Sequence, residues 1–169
     1  MNKNLVLTGM MGVGKSTIAN TVSKKLKMRF IDIDKIVEEK ENLTISQIFQ
    51  KKGELYFREI EEKISISQLQ QENSVIALGG GAFINNKIRN IVLKSSISVW
   101  LDLDIKLIAN RLKNARKRPL LEKSNLLDTL NKIYLNRKAI YDLANHKINC
   151  DKINQSLIID KIIVLYENN

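Results

Sequence analysis

Residues Gly9 to Thr17 read G-M-M-G-V-G-K-S-T, in which Gly9 and Gly14 stand five apart and Lys15 and Ser16 follow at once. This is the spacing of a polyphosphate cradle. The glycines let the main chain curl until successive N–H groups face one centre, and a helix starting there adds its positive end. Lys15 supplies a mobile charge for β- and γ-phosphates, and the Ser16 hydroxyl can ligate Mg²⁺. Gly12, Val13, Gly14, Lys15, Ser16 and Thr17 are therefore the candidate nucleotide contacts. The motif does not by itself separate a phosphotransferase from a nucleotide-gated switch or motor.

Asp32-Ile33-Asp34 follows the second short apolar run. If the strand continues through it, residues two apart share a side and both carboxylates reach one site. Asp32 would then organise Mg²⁺ and its waters, and Asp34 would meet the hydroxyl that receives the phosphoryl group. The plainer alternative is an Asp34 that caps a helix and a solvated Asp32. Arg58 lies in the helical stretch F-R-E-I-E and could serve a surface bridge to Glu61 or Glu62 at helical spacing. Gly79-Gly80-Gly81 removes every Cβ where the backbone must approach something closely. Asn136-Arg137-Lys138 carries no signal alone.

These residues need elements to position them. Short apolar runs alternate with longer amphipathic stretches. The runs are Leu5 to Leu7, Phe30-Ile31, Ser74 to Leu78, Ile97 to Leu103 and, weakly, Lys147 to Cys150. Helical patterns follow the phosphate loop through Ile18, Val22 and Leu26, then cover Lys35 to Lys40, Thr44 to Lys51 and Gly53 to Gln71. Thr44 with Gln47 forms a capping-box signature. A helix separates the third and fourth strands. Asp104 is placed to cap the next, Ser124 or Asn125 the one running to about Leu143, and the last covers Asn154 to Tyr166. Such alternation predicts one α/β domain over residues 1–169, a parallel sheet with helices on both faces and ligands beyond the carboxyl ends of its strands.

Bulk composition sets outer bounds. The 169 residues are 44% hydrophobic and 27% charged, with no stretch suited to crossing a bilayer. The first four residues run directly into a strand, and Cys150 is the single cysteine, so a reducing cytoplasm is expected. A net charge of +10 fits anionic ligands, but only Lys113 to Lys123 clusters it densely. Aromatic residues make up 5%, few for stacking nucleic-acid bases, so no nucleic-acid partner is expected. His146 reads as a surface or loop residue, and Cys150 as a small buried hydrophobe.

In their order and spacing the motifs resemble one family, shikimate kinase. They comprise the phosphate loop, D-I-D, F-R-E-I-E, L-G-G-G-A, then R-P-L-L at Arg118 to Leu121 and N-R-K-A-I-Y at Asn136 to Tyr141. The resemblance implies a three-layer α/β/α P-loop fold like that of nucleoside monophosphate kinases, with strand order 2-3-1-4-5. It also implies ATP-dependent, Mg²⁺-assisted phosphorylation of the shikimate 3-hydroxyl, on the route to chorismate and aromatic amino acids, by a monomer. Asp34 would hold ring hydroxyls and orient the nucleophile. Arg58 and Arg137 would grip the carboxylate, Gly80 between Gly79 and Gly81 would offer a backbone N–H, Phe49 and Phe57 would wall the ring, and Glu61 would support Arg58. The acceptor-binding helical segment would span about 33–61. The basic segment, about 112–124, would be a mobile lid whose Arg118 approaches the phosphates, whose return Pro119 stiffens, and near which Arg111 meets adenine. The nearest rival is another small-metabolite kinase of this fold, such as gluconate kinase.

Overall fold

The computed structural model describes residues 3–114 and 126–169. Five strands form one parallel sheet: β1 Asn4–Thr8, β2 Arg29–Asp32, β3 Ser74–Ala77, β4 Ser96–Asp102 and β5 His146–Asn149, in the order β2-β3-β1-β4-β5. This is the expected order. In the centre, Leu5, Val6 and Leu7 pair with Val75, Ile76 and Ala77 on one side and with Ile97, Ser98 and Val99 on the other. A central parallel strand is covered on both faces, which is why β1 and β3 are buried throughout and show no polar alternation.

Among the described residues there are seven α-helices: α1 Lys15–Leu26, α2 Ile33–Glu41, α3 Ile45–Leu69, α4 Asn86–Ser95, α5 Ile105–Asn114 and α6 Leu126–Tyr141 between strands, and α7 Gln155–Glu167 after β5. Right-handed crossovers send leftward and rightward connections to opposite faces. Accordingly α1 packs on β1, β2 and β3 beside α7, while α3 and α4 pack together over the other face. Three layers result, α/β/α.

Local chemistry sets the boundaries. Thr44 and Gln47 close the anticipated capping box at the start of α3. Asp104 accepts from the Lys106 N–H at 2.7 Å and so begins α5, as its position implied. Inside α3, Gly53 takes φ 82 and ψ 169, so the run is two helices meeting at a break between the two stretches read from sequence. The segment containing Ser124 and Asn125, the expected caps of α6, lies outside the described residues.

One boundary corrects an expectation. The second strand stops at Asp32, and α2 begins at Ile33. The Asp32 carboxylate accepts from the Lys35 N–H at 3.3 Å and is itself the N-cap. Asp34 therefore stands in the first helical turn, and the period of two does not relate the two carboxylates. Asp32 is buried rather than solvated, and Asp34 is not the cap.

Candidate functional site

The loop between β1 and α1 turns on Gly14, whose φ of 101 lies in the region that L side chains rarely adopt. Lys15 is buried, and its Nζ donates to the carbonyls of Gly9 and Met10, each at 2.9 Å. The ammonium thus folds back over the loop that would hold phosphates. Ser16 and Thr17 are exposed at the start of α1. Behind the loop, the Arg111 guanidinium donates to the Val13 carbonyl at 3.0 Å, so α5 pins the cradle. Arg118 and the basic segment beyond residue 114 lie outside the described residues.

Facing the loop is the turn after β3. A Cβ on Gly79 would strike Glu61 Oε1 and come within 2.7 Å of Asp34 Oδ1. A Cβ on Gly81 would stand 2.6 Å from Arg58 Nη1, and one on Gly80 would stand 3.0 Å from the Met11 backbone nitrogen. The three missing side chains are thus three different approaches: a pair of carboxylates, a guanidinium and the phosphate loop itself. Arg137, from α6, donates to the Gly80 carbonyl at 2.9 Å. Phe57 stacks near Phe49, centroids 4.8 Å apart, and the Arg58 guanidinium carbon lies 5.1 Å from the Phe57 ring centre.

The surface-bridge and site readings of Arg58 are not exclusive. Its Nη1 meets Glu61 Oε2 at 2.6 Å, and its Nη2 meets Glu54 at 3.3 Å. Burial works against its charged form, but Glu61 and Glu54 outweigh that and hold Arg58 above its ordinary value. Glu61 is 2% exposed, and burial raises its carboxyl above the usual range; Arg58 opposes this and the nearby Asp34 adds to it. Its Oε1 has no hydrogen-bond partner among the described residues. An orphan buried oxygen beside Asp34 makes a corner rich in acceptors, suited to hydroxyl donors. Two guanidiniums around the same turn suit a carboxylate.

One cavity of about 210 Å³ joins the phosphate loop, Asp34 and the turn after β3, lined by Gly12, Lys15, Ser16, Thr17, Asp34 and Gly80 among others; Arg58, Glu61, Arg137 and the two phenylalanines stand outside its lining. A larger one, about 360 Å³, opens between α5 and α6 around Asp102 and Tyr134 and is lined by none of the candidate nucleotide or acceptor residues named from sequence.

For a metal, the available donors are the Ser16 hydroxyl and the carboxylates of Asp32 and Asp34. No group of three or more His, Cys, Asp or Glu among the described residues could cage an ion. Hard oxygen donors without a protein cage fit Mg²⁺, which keeps its waters and shares substrate phosphates.

The sequence model of shikimate kinase matches residues 11–167. This chain belongs to the shikimate kinase family. A shikimate kinase from Sulfurihydrogenibium sp. (strain YO3AOP1) is 42% identical over 161 residues, covering 95% of this chain and 96% of that one. One from Aquifex aeolicus is 33% identical, over 98% and 96% of the two chains. A solved structure described as shikimate kinase from Acinetobacter baumannii in complex with shikimate superposes with TM-score 0.94 at 29% identity, covering all of this chain and 95% of that one. A gluconokinase from Sinorhizobium meliloti 1021, at TM-score 0.62 and 15% identity, shares the fold alone.

Sequence reading named both arginines but missed what Tyr141 does. Its hydroxyl also donates to the Gly80 carbonyl. The available signal was its place in N-R-K-A-I-Y, four residues after Arg137 and so on the same helix face.

Proposed function

We propose that this chain transfers the γ-phosphoryl group of ATP to the 3-hydroxyl of shikimate, giving shikimate 3-phosphate and ADP. The observation that carries this reading is the cavity in which the phosphate loop, Asp34 and the Gly80 turn meet. Main-chain N–H groups from Gly12 to Thr17 hold the β- and γ-phosphates, and Lys15 leaves its two loop carbonyls to meet them. Arg58 and Arg137 grip the ring carboxylate, Phe49 and Phe57 wall the ring, and Glu61 holds Arg58 while its second oxygen faces the ring hydroxyls with Asp34. The main chain of Gly79, Gly80 and Gly81 closes against the ring, with the Gly80 N–H donated to it.

Asp34 orients the 3-hydroxyl. The hydroxyl oxygen bonds to the γ-phosphorus as the bond from that phosphorus to the β,γ-bridging oxygen breaks, ADP leaves with the bridging oxygen, and the hydroxyl proton passes to Asp34. A carboxylate is a weak base for an alcohol, but it suffices where transfer is loose and the proton leaves late. Mg²⁺, held with the phosphates by Ser16 and Asp32, would neutralise charge there. Arg118, at the phosphates, and Arg111, at the adenine, complete the nucleotide side of this reading. The whole chain acts as one domain and a monomer in the cytoplasm, with 33–61 as acceptor segment and about 112–124 as lid. No helix among the described residues is long and apolar enough to cross a membrane.

A coupled ADP-release assay with shikimate, quinate, gluconate and nucleoside monophosphates tests the assignment. Turnover selective for shikimate is expected. Selectivity for gluconate or a nucleotide would end the acceptor assignment while leaving the phosphate loop standing.

A further inference from the structure

The Gly80 carbonyl is held from behind by two donors, Arg137 Nη1 at 2.9 Å and the Tyr141 hydroxyl. A carbonyl oxygen has two lone pairs, and both are used. Tyr141 is fully buried on α6, its ring stacked on Trp100 with centroids 5.8 Å apart and planes at 29°. Trp100 is also fully buried, and its Cδ1 lies 3.3 Å from where a Gly9 Cβ would stand. The phenol is therefore wedged between the sheet and the acceptor turn, with the Arg137 side chain beside its hydroxyl as a second hydrogen-bond partner. No peptide bond here is cis, and in a trans peptide the Gly81 N–H points opposite to the Gly80 oxygen. Holding that oxygen toward α6 aims the next N–H away from it and fixes the rotation of the turn. On its other side Gly80 rests against Met11 of the phosphate loop.

We propose that the Tyr141 hydroxyl is a positioning group for the acceptor, holding the Gly80–Gly81 peptide and, through the shared carbonyl, the Arg137 guanidinium in register for a carboxylate. The inference rests on the shikimate-phosphorylation reading. Tyr141 acts wholly through Gly80 and Arg137. Arg137 spends one N–H on the carbonyl and keeps others for the ligand, so its aim depends on where that oxygen sits. Without the phenol one lone pair is released, and carbonyl and guanidinium can slide together. A ring that only filled the core would need no hydroxyl at this point.

Tyr141→Phe in the full chain separates the two roles, because the ring and its stack on Trp100 remain. Shikimate KM should rise about fivefold to tenfold, the scale of one lost hydrogen bond, while ATP KM stays within twofold and kcat falls less than KM rises. The thermal shift produced by saturating shikimate should shrink, and that produced by ADP should not. An unchanged shikimate KM, or an equal rise in both KM values, overturns the inference. If the variant fails to accumulate folded, Trp100→Phe keeps the hydroxyl and loosens the ring behind it. The same split at smaller amplitude is then expected, and its absence overturns the inference. A wild-type chain that does not phosphorylate shikimate overturns this inference together with the reading beneath it. An active wild type with an unshifted Tyr141→Phe overturns the inference alone.

Discussion

The Arg58 guanidinium occupies the space in which a side chain on Gly81 would begin: Nη1, Cζ and Nη2 lie 2.6, 2.9 and 2.9 Å from an ideal Cβ there. Arg58 cannot retreat easily, since Glu61 holds Nη1 at 2.6 Å and the Phe57 ring lies alongside. The glycine is thus required by a neighbour 23 residues earlier, and not by its own φ, which at −118 any residue adopts.

Gly81→Ala should therefore act as an Arg58 variant. Shikimate binding should weaken by about tenfold, as expected when a half-buried charged contact is displaced. Nucleotide affinity should be unaltered. Isothermal titration with each ligand separately measures both, and unchanged shikimate affinity would mean that Arg58 yields without cost.

Much of this site was legible because its signals are local. The phosphate loop, the Thr44–Gln47 capping box and Asp104 at the start of α5 each lie within a few residues of sequence, and hydrophobic alternation fixes the sheet around them. Asp34 was misplaced in its element because the end of a strand and the start of a helix compete over one residue. The Asp32 carboxylate settles it by capping at Lys35, a choice that propensity does not foretell. Contacts distant in sequence were not readable: Tyr141 meets Gly80 across 61 positions, and Arg111 meets Val13 across 98. The orphan oxygen of Glu61 depends on burial, which no spacing reveals.

Lys15→Ala removes the ammonium that now bridges the Gly9 and Met10 carbonyls. Both acceptors belong to the phosphate loop, so the loop loses an internal tie as well as its charge. Turnover should drop by about a hundredfold to a thousandfold, the usual scale for one electrostatic contact to a transferring group. The ADP-release assay reads this directly, and a preserved kcat would remove Lys15 from the transfer step.

Cys150, the chain's single thiol, is buried at the end of β5, and its Sγ donates weakly to the Ile148 carbonyl. Burial first, then Asp102 and Asp151, push it from about 9 to about 11. At pH 8 only about one thiol in a thousand is then ionised, and the thiolate is the reactive form. Iodoacetamide should label native protein slowly at pH 8 and unfolded protein quickly. The linkage has a sign: folding favours S–H, so this contribution to stability is complete below pH 9 and is lost as pH rises toward 11. Cys150→Ser should flatten the stability profile across that window. Rapid labelling of the native chain at pH 8 would contradict the burial.

Gly53 breaks α3 at φ 82 and ψ 169, yet nothing lies within 4 Å of where its Cβ would be. Space is open, so the cost of a side chain there is conformational alone. Gly53→Ala should destabilise the fold by roughly 1–3 kcal/mol, the range for a residue forced into a sparsely populated region. A second consequence follows from position. Phe49 lies before the break and Phe57, Arg58 and Glu61 after it, with the two rings 4.8 Å apart. Relief of the strain by straightening would swing Phe49 away from Phe57 and, on the proposed reading, open one wall of the acceptor site. Chemical denaturation measures the first effect and shikimate KM the second. A variant as stable as wild type, with unchanged KM, would show that this backbone accepts a β-carbon without strain.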